Sequence, residues 1–467
     1  MSKFVHKLGG SIMGNPQLLK NIITQIPKYK NSVFVVSAVN TSIDKSIGTT
    51  SLLTRLYETN NLFEKKEICN KIICIHEKLS DKLEINIDNL QYNFNKILKI
   101  SQQHTYTKDH VLSIGESLAS DIMCDFLIKN GFNSISVKYS EKYHIDNLHI
   151  YENRKNLINS FKNHNLLLIQ NYHNNSIIPV YSGFLETINE NMINTMGRGY
   201  TDTTGAIIAN SISASKYIIW KETGGVFSGH PHKINNVQLI KNLSIDEAIQ
   251  LTTFGNETLH QLTSEFAKDN MLNISINDVI IDRKYNTDIY YNIGTYEQDI
   301  IDKKIYIDNE SLSFESFIHQ KSIKDKKFKA ICSKKDLDII HVNISGELQK
   351  KFINNFIDIG TIILTTNNAG TSILVDNIMK RKILELEIMK KNRDHFKIKS
   401  NKSIICCIGD SMKGYIGIAG EIMKTLSNQN INIEMIYQES TENNIMIVVS
   451  SLDEINAIES LHKKFIL

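Results

Sequence analysis

None of the six cysteines, Cys69, Cys74, Cys124, Cys332, Cys406 and Cys407, stands at C-x-x-C spacing or beside a histidine at zinc-site spacing. That excludes a zinc framework and leaves reduced thiols in a cytoplasmic protein as the expectation. No apolar run reaches membrane-spanning length, and Met1 to Lys7 hold no signal-peptide core, so neither a span nor an export signal is expected. An excess of charge is missing as well. Lys and Arg number 53 against 50 Asp and Glu, scattered rather than striped, which argues against a nucleic-acid partner. Nor is there a disordered composition, since 41% of residues are hydrophobic and 22% charged. At 467 residues the chain exceeds what one core usually supports, so two or three domains are expected.

Over the first ~300 residues short apolar and β-branched runs alternate with helical periodicity, the pattern of an α/β fold with a parallel-rich sheet covered by helices on both faces. Strands are predicted at Val33 to Val36, Ser134 to Val137, Leu166 to Ile169, Ile177 to Tyr181 and Tyr217 to Trp220. Between Glu116 and Gly131 the i, i+4 pairs Leu118, Ile122, Phe126 and Met123, Leu127 predict a helix, with Asn130-Gly131 as its stop. Asn60 to Asn95 reads as surface helices. Weak periodicity and the Lys-rich run Lys321 to Lys329 mark a boundary. Beyond it, two segments repeat strand, helix, strand, strand: Asp338 to Ile344, Glu347 to Ile357, Thr361 to Thr365, Thr371 to Asp376; then Ser403 to Ile408, Ala419 to Asn428, Ile431 to Tyr437, Asn444 to Val449. The division expected is 1–300, a connector 301–328, and βαββ units at 329–398 and 399–467, of a size that more often binds a regulator than performs chemistry.

Five segments carry chemistry-bearing residues. Phe4 to Ser11 reads as a strand ending in Gly9-Gly10, with Lys7 just before them; paired glycines let backbone N–H groups approach phosphate oxygens, and an ammonium neutralises a phosphoryl group in flight. It is not a P-loop, and taken alone it is more often an ordinary turn. Val35 to Ala38 delivers Ser37 to the carboxyl edge of a sheet, where open α/β folds place ligands. Gly115-Glu116 sets a carboxylate on a glycine turn at a helix opening, suited to a substrate ammonium or, more simply, to the helix dipole. Met196 to Ala206 is the most informative: two glycines flank Arg198, whose guanidinium suits a carboxylate, and Asp202, Thr203 and Thr204 open a helix, Asp202 being otherwise a plain N-cap. Trp220 to Lys233 is a strand leaving into a loop across which a nucleotide base and phosphates would fit. His230 and His232, at i, i+2 without further ligands, are not read as a metal site.

In order and together these segments resemble the aspartokinase family of the amino-acid kinase superfamily, over nearly the whole chain. Lys7-Leu8-Gly9-Gly10-Ser11 is similar to the family's KFGGTS loop, Val36-Ser37-Ala38 to its VSA strand end, Gly115-Glu116 to its GE turn, and Gly197 to Asp202 to its GRGGSD loop. Trp220 to Lys233 resembles WTDVDGVYTADPRK, and Phe254 to Thr263 resembles FGAKVLHPRT. Ile408 to Met412, Gly417 to Gly420 and Asn432 to Gln438 resemble the second of two ferredoxin-like ACT domains.

The resemblance implies a monofunctional enzyme making ADP and 4-phospho-L-aspartate from ATP and L-aspartate, the first step toward lysine, threonine and methionine. It implies Lys7 stabilising the phosphoryl group, Asp202 orienting Lys7, and Gly9, Gly10 and Ser11 at the phosphates. Ser37 and Thr201 would position substrate, Glu116 would take its ammonium and Arg198 a carboxylate. Lys221, Glu222, Phe227 and Lys233 would line the nucleotide, with Mg2+ held through ATP rather than by a protein metal site. A homodimer with lysine or threonine as effector at the ACT units is implied too. The sequence departs at His230-Pro231-His232-Lys233, at His260-Gln261, and at Ser345-Gly346-Glu347, where the first unit lacks the usual glycine-rich turn. The rival readings are a sister kinase acting on glutamate or a nucleoside monophosphate, and a catalytically silent amino-acid sensor. A dinucleotide loop at Gly414 to Gly420 fails on its GxxGxxG spacing and on the ~50 residues that follow.

Overall fold

The structure, a computed structural model, describes residues 3–28, 31–41, 48–86, 90–100, 106–137, 139, 142–148, 150–185, 187, 192–196, 199–255, 258–281, 283, 285–291, 328–359, 362–368, 370–440 and 442–467. The described residues form two compact units. The first draws on Met1–Val226, Leu239–Ile249 and Thr258–Tyr306, the second on Phe227–Gln238, Gln250–Glu257 and Ile307–Leu467. Arg198 lies outside the described residues, as does the expected connector 301–328 except for Phe328.

In the first unit the strands are β1 (Phe4–Leu8), β2 (Ser32–Val36), β3 (Ser134–Val137), β4 (Ile178–Ser182), β5 (Lys216–Lys221), β6 (Val226–Phe227, ending past the unit's limit), β7 (Leu239–Ile240), β8 (Asn242–Ser244), β9 (Ile274–Asp278) and β10 (Asn286–Tyr290). Eight of them make one sheet in the order β3-β4-β2-β1-β5-β9-β10-β8. Every described pairing in it is parallel except β9 with β10. Central strands of such a sheet are covered on both faces, so they read as unbroken apolar runs: Val33 to Val36 are all fully buried. The helices used below are α1 (Gly10–Met13), α2 (Pro16–Gln25), α3 (Thr49–Glu58), α4 (Leu62–Leu83), α5 (Gln91–Ile100), α6 (Lys108–Lys129), α7 (Tyr151–Asn174), α8 (Met192–Met196) and α9 (Tyr200–Ser211). Helix α6 packs on β2, β3 and β4, while α9 packs on β1, β2 and β5.

Two local expectations are corrected. Leu166 to Ile169 is no strand but part of the 24-residue helix α7. Its buried positions Leu157, Ile158, Phe161, Asn165 and Ile169 recur every three to four residues, and three consecutive leucines favour helix over sheet. Gly115-Glu116 likewise does not open a helix: α6 starts at Lys108, capped by Thr107, whose hydroxyl accepts from the His110 N–H. Gly115 is there for close packing. A Cβ on it would lie 2.9 Å from the Ala38 Cβ and 3.0 Å from the Leu53 Cδ1, so Gly115→Val is expected to cost about 1–3 kcal/mol in denaturant unfolding.

The second unit holds β11 (Ala330–Val342), α10 (Gly346–Ile359), β12 (Ile363–Asn367), β13 (Gly370–Asp376), α11 (Asn377–Glu385), α12 (Glu387–Lys391), β14 (Phe396–Ile408), α13 (Ile418–Ser427), β15 (Met435–Gln438), β16 (Asn444–Ser450) and α14 (Glu454–Phe465). The repeat is therefore βαββα, each copy closed by a helix that the sequence reading missed. Its six strands form one sheet, β12-β13-β11-β14-β16-β15, in which the 13-residue strands β11 and β14 pair antiparallel along their length. One core gathers Ile340, Val342, Phe352, Phe356, Ile373 and Ile383. The other gathers Ile405, Cys407, Ile422, Ile447 and Leu461 together with Phe328 and Ile331. The boundary expected at 398/399 thus falls inside β14, and the start of β11 belongs to the second core. Period-2 burial cannot say which half of a long strand serves which core. All six cysteines are free, and no described helix is long and apolar enough to cross a membrane.

Candidate active site

Parallel strands end at one edge, and the chain segments that leave β1, β2 and β5 there bring the sequence-predicted groups together. Lys7 pairs in register with Val35 of β2 and Ile219 of β5, and the Ser37 N–H donates to the Leu8 carbonyl at 3.0 Å. Because side chains alternate along a strand, His6 and Lys7 face opposite ways. His6 is held between Phe34 and Trp220, ring centroids 4.9 and 6.2 Å away, and its Nδ1 accepts from the Trp220 Nε1–H at 3.2 Å. Burial holds that imidazole down to about 3, so it stays neutral and adds no charge beside Lys7.

Lys7 ends in a cavity of about 530 Å³ whose lining includes Gly10, Ser37, Glu116, Tyr200 and Thr201. Its Nζ lies 2.6 Å from Asp202 Oδ1, both side chains being under 10% exposed. Burial by itself would raise Asp202, but the Lys7 ammonium, then Lys221 and His260, outweigh it and hold the carboxyl below the usual range. Asp202 sits in the first turn of α9 but is not its cap; that place is taken by Gly199, at φ 92°. There a Cβ would meet His260 at 2.9 Å, so the left-handed turn and the close packing both call for glycine. Gly10 is fixed by its neighbours too, since a Cβ would stand 2.5 Å from the Ala38 carbonyl oxygen, while its own carbonyl accepts from the Asn40 N–H at 2.9 Å. Gly9 passes close to Lys7: a Cβ there would be 3.6 Å from Nζ.

Glu116 reaches the cavity from the middle of α6 and is 2% exposed. Its Oε1 accepts from the Tyr200 hydroxyl, and its Oε2 makes no hydrogen bond of ordinary geometry among the described residues. Burial raises the carboxyl to about 7, countered by the Tyr200 hydroxyl and then by the backbone at Ala38 and Glu116. A buried acceptor with an open oxygen beside a cavity suits a cationic group.

Of the residues singled out from sequence, Lys7, Gly10, Ser37, Glu116 and Thr201 share this cavity, with Asp202 against Lys7 and Lys221 acting on Asp202 electrostatically. Ser11 and Glu222 are exposed and outside its lining. Phe227 and Lys233 belong to the second unit, where the Lys233 ammonium is 2.7 Å from Glu454 and 3.3 Å from the Ser333 hydroxyl. Tyr200, Thr49, Thr50 and Lys108 also line the cavity and were missed. Tyr200 had a signal, standing inside the motif where the similar loop has glycine.

The model of the amino acid kinase family matches residues 2–278, and an ACT domain model matches residues 405–465. The chain is 27% identical to the aspartokinase of Saccharomyces cerevisiae, over 99% of this chain and 92% of that protein. It is 25% identical to that of Candida albicans, over 99% and 90%. Among solved structures, Escherichia coli aspartokinase III in complex with aspartate and ADP superposes with a TM-score of 0.73 at 16% identity, covering 99% of each chain. Clostridium acetobutylicum aspartate kinase gives 0.70 at 20% identity, covering all of both chains.

Proposed function

The chain belongs to the amino acid kinase family, and from that premise we propose that it is an aspartate kinase, transferring the γ-phosphoryl group of ATP to the side-chain carboxylate of L-aspartate. The observation that carries this reading is one cavity lined both by Lys7, whose ammonium pairs with Asp202, and by a buried Glu116 with an open oxygen. In the reaction a carboxylate oxygen of aspartate forms a bond to the γ-phosphorus. The bond from that phosphorus to the β,γ-bridging oxygen breaks, and ADP leaves with the electron pair. The attacking carboxylate is already a nucleophile, so positioning and charge neutralisation carry the rate.

Lys7, oriented by Asp202, neutralises the phosphoryl oxygens, and the glycines at 9 and 10 leave backbone N–H groups open to phosphate. Glu116 takes the substrate ammonium, and Ser37 and Thr201 hold its position. Arg198 is read as the carboxylate partner on the strength of the motif. Lys221, Glu222, Phe227 and Lys233 are read as nucleotide contacts on the same ground. Mg2+, bound through ATP oxygens, supplies further charge neutralisation. The four relatives compared all carry aspartokinase names, which supports aspartate over glutamate or a nucleoside monophosphate. The second unit is read as a paired ACT sensor for lysine or threonine in a homodimer, its sheet ending in strands β12 and β15 that are open to pairing across chains.

Hydroxylamine trapping with ADP release, run with aspartate, glutamate and no acid, tests the reaction. Hydroxamate is expected from aspartate alone, and an equal signal from Lys7→Met protein would assign the activity to a contaminant. Gly10→Ala pushes the loop off the Ala38 carbonyl and is expected to lower kcat/KM for ATP at least tenfold, by analogy with single misplaced binding groups.

A further inference from the structure

Tyr200 occupies a position that the resembling loop fills with glycine, and its hydroxyl is spent on Glu116 across 84 residues of chain. The ring is 7% exposed and set edge-on to Phe184, with centroids 5.2 Å apart at 73°. The Thr50 hydroxyl meets the phenol oxygen, while burial first and the Glu116 charge second keep the phenol protonated, so it is a fixed donor. Of the charged groups, Lys7 on β1 and Lys108 on α6 share the cavity with Glu116, Asp109 on α6 acts electrostatically on Tyr200, and Asp202 on α9 pairs with Lys7. Lys7 is engaged by Asp202, Lys108 by Glu58 at 3.4 Å, and Asp109 by the Met192 N–H at 2.8 Å. Among the described residues, Tyr200 is thus the side chain that donates a hydrogen bond to the Glu116 carboxylate.

We propose that Tyr200 is a positioning residue for the amino-acid substrate: its hydroxyl engages one oxygen of Glu116 and so presents the other oxygen to the substrate ammonium. The proposal rests on the aspartate kinase reading for the identity of the ligand, though not for the state of Glu116. A hydrogen bond to a charged acceptor is strong enough that its loss is expected to raise KM for aspartate roughly tenfold in Tyr200→Phe, by more than kcat falls. The acid limb of kcat/KM shifts upward in pH, because the carboxyl without its donor ionises later. A merely structural role for the ring would move neither the limb nor the split between KM and kcat.

Two measurements keep this separate from the enzyme's identity. In thermal unfolding, Tyr200→Phe is expected to lose more stability at pH 8 than at pH 5. That pH dependence should vanish in the Glu116→Gln background, where no charge is held. Carbon-13 glutamate NMR, with Glu116→Gln identifying the resonance, should show the Glu116 carboxyl titrating at a higher pH in Tyr200→Phe than in unaltered protein. No aspartate-dependent hydroxamate from unaltered protein would sink the kinase reading while leaving the thermal cycle to judge Tyr200. Equal losses at both pH values and in both backgrounds, or a Glu116 resonance titrating at the same pH in Tyr200→Phe as in unaltered protein, would overturn the role given to Tyr200.

Discussion

Lys7→Met protein is expected to lose on the order of 10³-fold in kcat while keeping its fold. The substitution retains most of the apolar stem and removes the ammonium that faces the phosphoryl group, the kind of preorganised charge whose loss costs 10² to 10³ or more. It also strands Asp202, which is buried and held below its usual range by that ammonium. Breaking a buried pair by removing one partner costs about 3–5 kcal/mol. The pH dependence has a definite sign. With Lys7 present, Asp202 contributes stability at pH values above its unfolded value of 3.8, lost as pH falls through the still lower folded value. Without Lys7, burial is opposed only by the more weakly acting Lys221 and His260, so the carboxyl moves upward and the penalty of the substitution grows as pH rises. Urea unfolding of both proteins at pH 5 and pH 8 checks this: a Lys7→Met penalty that does not grow with pH would mean that the pair is not what holds Asp202 ionised.

Glu116→Gln is expected to reduce kcat/KM for aspartate by 10²-fold or more, since truncating one side of a buried charge pair costs about 2–5 kcal/mol. In unaltered protein kcat/KM should climb as pH rises through about 7, where Glu116 ionises, and the variant should lose that limb. Its effect on stability runs the other way. A carboxyl raised from 4.5 to about 7 is fully accommodated below 4.5, and roughly 3 kcal/mol of stability is lost as pH rises through the folded value. The glutamine variant is spared this, so at pH 8 it should melt higher than unaltered protein while binding aspartate far more weakly. A lower melting temperature at pH 8 would show that the carboxylate has a partner stronger than Tyr200.

The parallel sheet was legible because central strands announce themselves: β2, β3, β4 and β5 fall within a residue of the runs read from sequence. Leu166 to Ile169 misled for the same reason, a short apolar run being compatible with either element until its neighbours show a 3.6-residue period. Glu116, singled out from the sequence, was misplaced within its helix. A glycine before a carboxylate reads locally as a turn, and only the nearby Ala38 and Leu53 show that Gly115 makes room for packing inside a helix. The two small repeats were found, whereas the shared strands β11 and β14, which knit them into one sheet, were not.

By itself the sequence determined the central parallel strands and the motif residues that follow them, because apolar runs and glycine placement are short-range properties of the chain. Tertiary structure decided that Lys7 meets Asp202, that Glu116 keeps one oxygen open, and that a tyrosine 84 positions later holds the other. Those outcomes depend on which distant groups exclude water from one another, and desolvation is a property of packing that no local pattern encodes.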